Sequence, residues 1–96
     1  MMTRDEILKA IDTIRPPLAM LGVRERALFG SYARNEATPA SDIDFLVEFS
    51  QTSFDRYMDL KELLEELLAR RVDLVMKSAI KTSLRERILR EAVRAA

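Results

Sequence analysis

The chain has 96 residues, 48% of them hydrophobic, which is enough for one small core and too little for a separate substrate-binding domain, so residues 1–96 are expected to form a single domain. Sixteen basic residues balance sixteen acidic ones, and this removes the positive field that gathers nucleic acid or anionic lipid. Cysteine and histidine are both missing, so disulfides, thiolate chemistry and the usual zinc ligands are excluded, and any metal must sit on oxygen ligands, as magnesium, manganese or calcium do.

The N-terminus, "MMTRDEILKAID", carries acids early and no sustained apolar run, which predicts neither a signal peptide nor a membrane span and makes a cytoplasmic protein the expectation. Thr3 and Glu6 have capping-box spacing, and Ile7, Ala10, Ile11 and Ile14 follow as one apolar stripe, so a helix starts near Thr3. Pro16-Pro17 breaks or kinks it, and a further helical piece through Leu18 and Leu21 ends at Gly22. "RALFG", residues 26–30, reads as a short buried strand running into Gly30.

Residues 42–49 alternate strictly, with Ile43, Phe45, Val47 and Phe49 on one face and Asp42, Asp44, Leu46 and Glu48 on the other. After the loop "SQTS", Tyr57, Leu60, Leu64 and Leu67 keep helical spacing, widened by Leu63 and Leu68. "RVDLVM", residues 71–76, is the third strand, with Val72, Leu74 and Met76 on one side and Asp73 and Val75 on the other. Ser83 and Glu86 repeat the capping-box spacing before a final helix that carries Leu84, Ile88 and Ala92 on its inner side.

The stretch from Gly30 to Asp42 is short for a parallel crossover, so the first two strands are expected to be antiparallel; the helix between the second and third permits a right-handed parallel return. That topology carries Gly30-Ser31, Asp42, Asp44 and Asp73 to one end of a small mixed sheet with helices on its opposite face, an α+β architecture. Asp42 and Asp44 are spaced by roughly 6–7 Å along a strand rising about 3.3 Å per residue. Leaning together, they could bridge two divalent cations about 3.5–4 Å apart. The Gly-Ser turn supplies the complement, because glycine admits a phosphate to the backbone while amides at a helix start and the Ser31 hydroxyl donate to it. Other readings stay open residue by residue: a solvated strand face for the aspartates, a capped strand-to-helix turn for Gly30-Ser31, pairing of Asp73 with Arg70-Arg71, a surface pair of Arg34 with Glu36, and packing or rim for Tyr32.

"FGS" at 29–31, a ten-residue spacer, "DIDF" at 42–45 and Asp73 in "VDLV", together with "GSYAR" and the closing "RERILREAV", resemble the minimal nucleotidyltransferase family, the smallest members of the DNA polymerase β-like nucleotidyltransferase superfamily. The one departure is Asn35, where that family usually has glycine. The resemblance implies a polymerase β-like nucleotidyltransferase fold in which Gly30 and Ser31 hold the β- and γ-phosphates of ATP and Arg34 steadies the triphosphate or the acceptor. It also implies that Asp42 and Asp44 bind two magnesium ions, and that Asp73 completes one metal shell and helps to deprotonate the attacking hydroxyl. Small members of this kind are commonly the antitoxin half of a pair whose toxin is a helical nuclease of the HEPN class. The implied reaction is therefore transfer of AMP to a toxin tyrosine within a hetero-oligomer, with no membrane and no direct nucleic-acid partner. Two alternatives belong beside it: a non-catalytic module that neutralises the toxin by covering it, and nucleotidyl transfer to a small hydroxylated molecule.

Overall fold

The computed structural model describes residues 2–95. Helix α1, Arg4–Asp12, opens with a complete capping box: the Glu6 N–H donates to Thr3 Oγ1 at 3.2 Å and the Thr3 N–H to Glu6 Oε1 at 2.9 Å. Pro16 and Pro17 fall in the first turn of α2, Arg15–Met20, where an N–H has no helical acceptor to lose. The chain leaves that helix through Gly22 at φ +75°.

Strand β1, Val23–Phe29, begins earlier than its apolar stretch, because Val23 pairs with Phe49 and Glu25 with Glu48 on either side of a bulge at Arg24, while the Arg24 and Glu25 side chains stay exposed. A single turn of helix, α3, Gly30–Ala33, follows at once. β2, Ile43–Phe49, runs antiparallel to β1, and α4, Phe54–Leu68, returns the chain so that β3, Val72–Met76, lies parallel to β2. The sheet order is β3-β2-β1-β4, with β2 and β1 at its centre.

The alternation in β2 sets the core. Ile43, Phe45, Val47 and Phe49 are all buried and meet Leu28, Val72 and Leu74 from the flanking strands beneath α1, α2 and α4. Ile7, Ile11, Leu18, Leu60, Leu64 and Leu68 close this layer, each adding about 1.5–3 kcal/mol on burial. The Tyr57 hydroxyl donates to the Leu74 carbonyl at 2.9 Å and ties α4 to β3.

The C-terminal part departs from expectation in four ways. Helix α5, Thr82–Glu91, does not join the other helices: Leu89 and Ala92 line a cavity with Ala27 and Leu46, on the sheet face that carries the aspartates. Leu84, expected on its inner side, is 47% exposed, because that face of the sheet offers few apolar partners beyond Leu46. Ser83 and Glu86 form no capping box, since the helix starts at Thr82 with Lys81 as its cap and Ser83 already lies inside the first turn. Finally, Val93–Arg94 forms an unexpected strand, β4, antiparallel to the open edge of β1.

Candidate active site

Register fixes the site. Phe29 of β1 lies opposite Asp44 of β2, and Asp44 lies opposite Asp73 of β3, so the turn that follows Phe29 and the two aspartates share one corner of the sheet. Asp42 stands just before β2, in a loop held by two sets of contacts. Within it, the Thr38 N–H donates to Ser41 Oγ at 3.0 Å and the Ser41 N–H to the Thr38 carbonyl at 3.0 Å. From outside, Arg70 Nη2 donates to the Pro39 and Ser41 carbonyls, and its guanidinium stands 6.0 Å from the centre of the Tyr32 ring.

Gly30 sits at φ +75°, a conformation that side-chain-bearing residues adopt at a cost. A Cβ there would lie 3.1 Å from Asp44 Cγ and closer still to Asp44 Oδ2, so the glycine is what lets the carboxylate come up against the turn. The N–H groups opening α3 have no helical acceptors, and the Ser31 hydroxyl has no hydrogen-bond partner among the described residues.

None of Asp42, Asp44 and Asp73 makes an ion pair or side-chain hydrogen bond among the described residues. Asp73 in particular is not paired with Arg70, which points at backbone carbonyls instead, nor with Arg71. Asp44 is half-buried; burial first, then the charges of Asp73 and Asp42, push its carboxyl up to about 6, and Arg34 pulls the other way. As the side chains lie, no three acids among the described residues enclose a position for one ion. The corner instead presents carboxylates with no ion-pair partner among the described residues, crowded enough to raise the central one, and hard oxygen donors of this kind fit a magnesium-type cation.

Arg34, the residue after α3, is held by two acids: Nε donates to Glu36 Oε2 at 3.0 Å and Nη1 to Glu91 Oε2 at 3.1 Å. Both acids hold the guanidinium above its ordinary pKa, Glu36 first. Tyr32 packs in the core, buried to 2% exposure, and is not a rim residue. Sequence reasoning passed over Glu91 and gave Arg70 only a part in pairing Asp73. The position of Glu91 depends on β4, whose two residues carry no local signal, and no spacing rule links an arginine to carbonyls about thirty residues away.

The nucleotidyltransferase domain family matches residues 4–95. The chain is 44% identical to the protein adenylyltransferase MntA of Thermococcus cleftensis over 97% of its own length and 96% of that relative. Among solved structures it is similar to a minimal nucleotidyltransferase, with a TM-score of 0.84 at 35% identity over 96% of this chain and 95% of the other. It also shares its fold with the MNT antitoxin in a complex described as the tri-AMPylated HEPN toxin of Shewanella oneidensis with that antitoxin, with a TM-score of 0.59 at 22% identity over 97% of this chain and 68% of the other. With the Gly30-Ser31 turn and the aspartates at one corner of a four-stranded mixed sheet, the chain belongs to the nucleotidyltransferase domain family, as an enzyme of its minimal type.

Proposed function

We propose that this chain is a cytoplasmic protein adenylyltransferase that transfers AMP from ATP to a tyrosine hydroxyl of a HEPN-type toxin and so serves as its antitoxin, with Asp42, Asp44, Asp73, Gly30, Ser31 and Arg34 as the working residues. The observation that carries the reading is the corner itself: three carboxylates with no ion-pair partner among the described residues, beside a turn whose glycine leaves no room for a side chain. The near-full-length likeness to a protein adenylyltransferase supports protein as the acceptor, and the fold shared with an antitoxin of an AMPylated toxin supports the partner.

In this reading Asp42 and Asp44 hold two magnesium ions and Asp73 joins them at one. The bound ions supply charge neutralisation for the triphosphate and acidity for the acceptor hydroxyl. Gly30 admits the β- and γ-phosphates to the backbone, the amides opening α3 and the Ser31 hydroxyl donate to their oxygens, and Arg34 balances their charge. Asp73 takes the proton of the attacking hydroxyl as its oxygen bonds to the α-phosphorus, the bond from that phosphorus to the bridging oxygen breaks, and pyrophosphate leaves. A chain this small has little surface to build an acceptor pocket, so the toxin brings its tyrosine on its own surface and the pair forms a hetero-oligomer.

Co-expression with the cognate toxin tests this. The toxin is expected to gain one or more AMP units in intact-mass spectra with wild type and none with Asp42→Asn/Asp44→Asn. Neutralisation that survives the double substitution with no mass change would identify a non-catalytic binding module instead.

A further inference from the structure

We propose that Glu91, at the end of α5, is a positioning residue that aims Arg34 at the triphosphate; the role rests on the nucleotidyltransferase reading of the site. Strand β4 makes the placement. Val93 lies opposite Leu28 and Arg94 opposite Ala27, and the Ala95 N–H donates to the Arg26 carbonyl at 3.0 Å. Pinned in this way, α5 ends against α3, and its last residue, Glu91, reaches Arg34 just past the Gly30-Ser31 turn.

There Glu91 Oε2 accepts from Arg34 Nη1 at 3.1 Å while its Oε1 lies 3.9 Å from Arg87 Nε. The other acid on Arg34, Glu36, belongs to the same loop as the arginine and would move with it. Glu91 comes from a separate element pinned by a strand, so the two acceptors together fix the plane of the guanidinium. Nη2 is left without a hydrogen-bond partner among the described residues, which frees its two N–H groups for a phosphate oxygen. The helix itself does not call for an acid there, because a carboxylate in the last turn opposes the helix dipole. A pre-oriented arginine also saves the ordering of a long side chain when the nucleotide arrives.

Calorimetric titration of the full chain with ATP and magnesium tests the role through a double-mutant cycle. Glu91→Ala is expected to weaken ATP binding roughly five- to tenfold, the scale of a charge-assisted contact between coupled residues. Glu91→Gln is expected to keep most of the affinity, since its amide oxygen still accepts from Nη1, and Glu91→Ala is expected to add nothing in an Arg34→Ala background. An equal loss in both backgrounds, or no loss from Glu91→Ala, would overturn the proposal. If Glu91→Ala fails to fold, Glu91→Leu in both backgrounds gives the same comparison. Failure of the wild type to bind ATP would remove the nucleotidyltransferase reading together with this role, whereas binding by wild type with additive substitutions removes this role alone.

Discussion

Gly30 and Asp44 occupy complementary space: the room a Cβ would need on Gly30 is filled by the Asp44 carboxylate, with Cγ 3.1 Å from that position. The glycine also takes φ +75°, so backbone and neighbour both forbid a side chain. Gly30→Ala is expected to cost about 1–2 kcal/mol for the left-handed backbone alone, with more from the displaced carboxylate. A lower urea midpoint together with weaker ATP binding checks this, and an unchanged midpoint contradicts it.

The carboxylates make the protein's stability depend on pH in an unusual direction. Asp44 has its carboxyl raised from 3.8 to about 6 by burial and by its acidic neighbours, so the folded chain binds a proton that the unfolded chain has already released. Stability from this group is therefore fully present below pH 3.8 and is lost as pH rises to about 6. In metal-free buffer Asp44→Asn is expected to melt higher than wild type at pH 7, with the difference shrinking towards pH 4. Magnesium is expected to raise the melting temperature of wild type at pH 7 and to have little effect on the variant. Parallel thermal melts across pH with and without the ion decide it.

Arg70 is tied to the Asp42 loop by donating to the Pro39 and Ser41 carbonyls. Arg70→Lys keeps the charge and loses the planar fork, so it is expected to lower the transfer rate roughly tenfold, a loss of about 1.4 kcal/mol in transition-state stabilisation. Rates of AMP transfer measured beside the melting temperature separate this from general loosening. A rate equal to wild type would show that the loop holds Asp42 without Arg70.

The two capping-box spacings give opposite outcomes, and each can be measured. Thr3→Ala removes a formed cap and is expected to cost about 1 kcal/mol. Ser83→Ala removes a side chain that caps nothing and is expected to be neutral within about 0.5 kcal/mol. Urea unfolding of the two variants provides the comparison.

Those two motifs also show where sequence reading succeeds. Thr3 and Glu6 precede an amphipathic stripe that packs on the core, so local and global preferences agree. Ser83 and Glu86 lie inside a helix with no buried residue, whose start is set by a 3₁₀ turn at Lys77–Ala79 and by Arg85 donating to the Lys77 carbonyl. The period-two pattern of residues 43–49 and the short span from Gly30 to Asp42 were enough to fix strand direction and to bring Gly30, Asp44 and Asp73 to one corner. β4 was invisible because two residues at a helix end form a strand only where β1 leaves an edge unpaired. Glu91 was invisible with it.

The aspartates at this corner, acting beside the Gly30-Ser31 turn, are expected to move AMP from ATP to the partner protein. Labelled ATP incubated with magnesium, the purified chain and its cognate toxin tests it most directly. Wild type is expected to label the toxin and Asp42→Asn/Asp44→Asn to leave it unlabelled, whereas equal labelling by both would contradict the account.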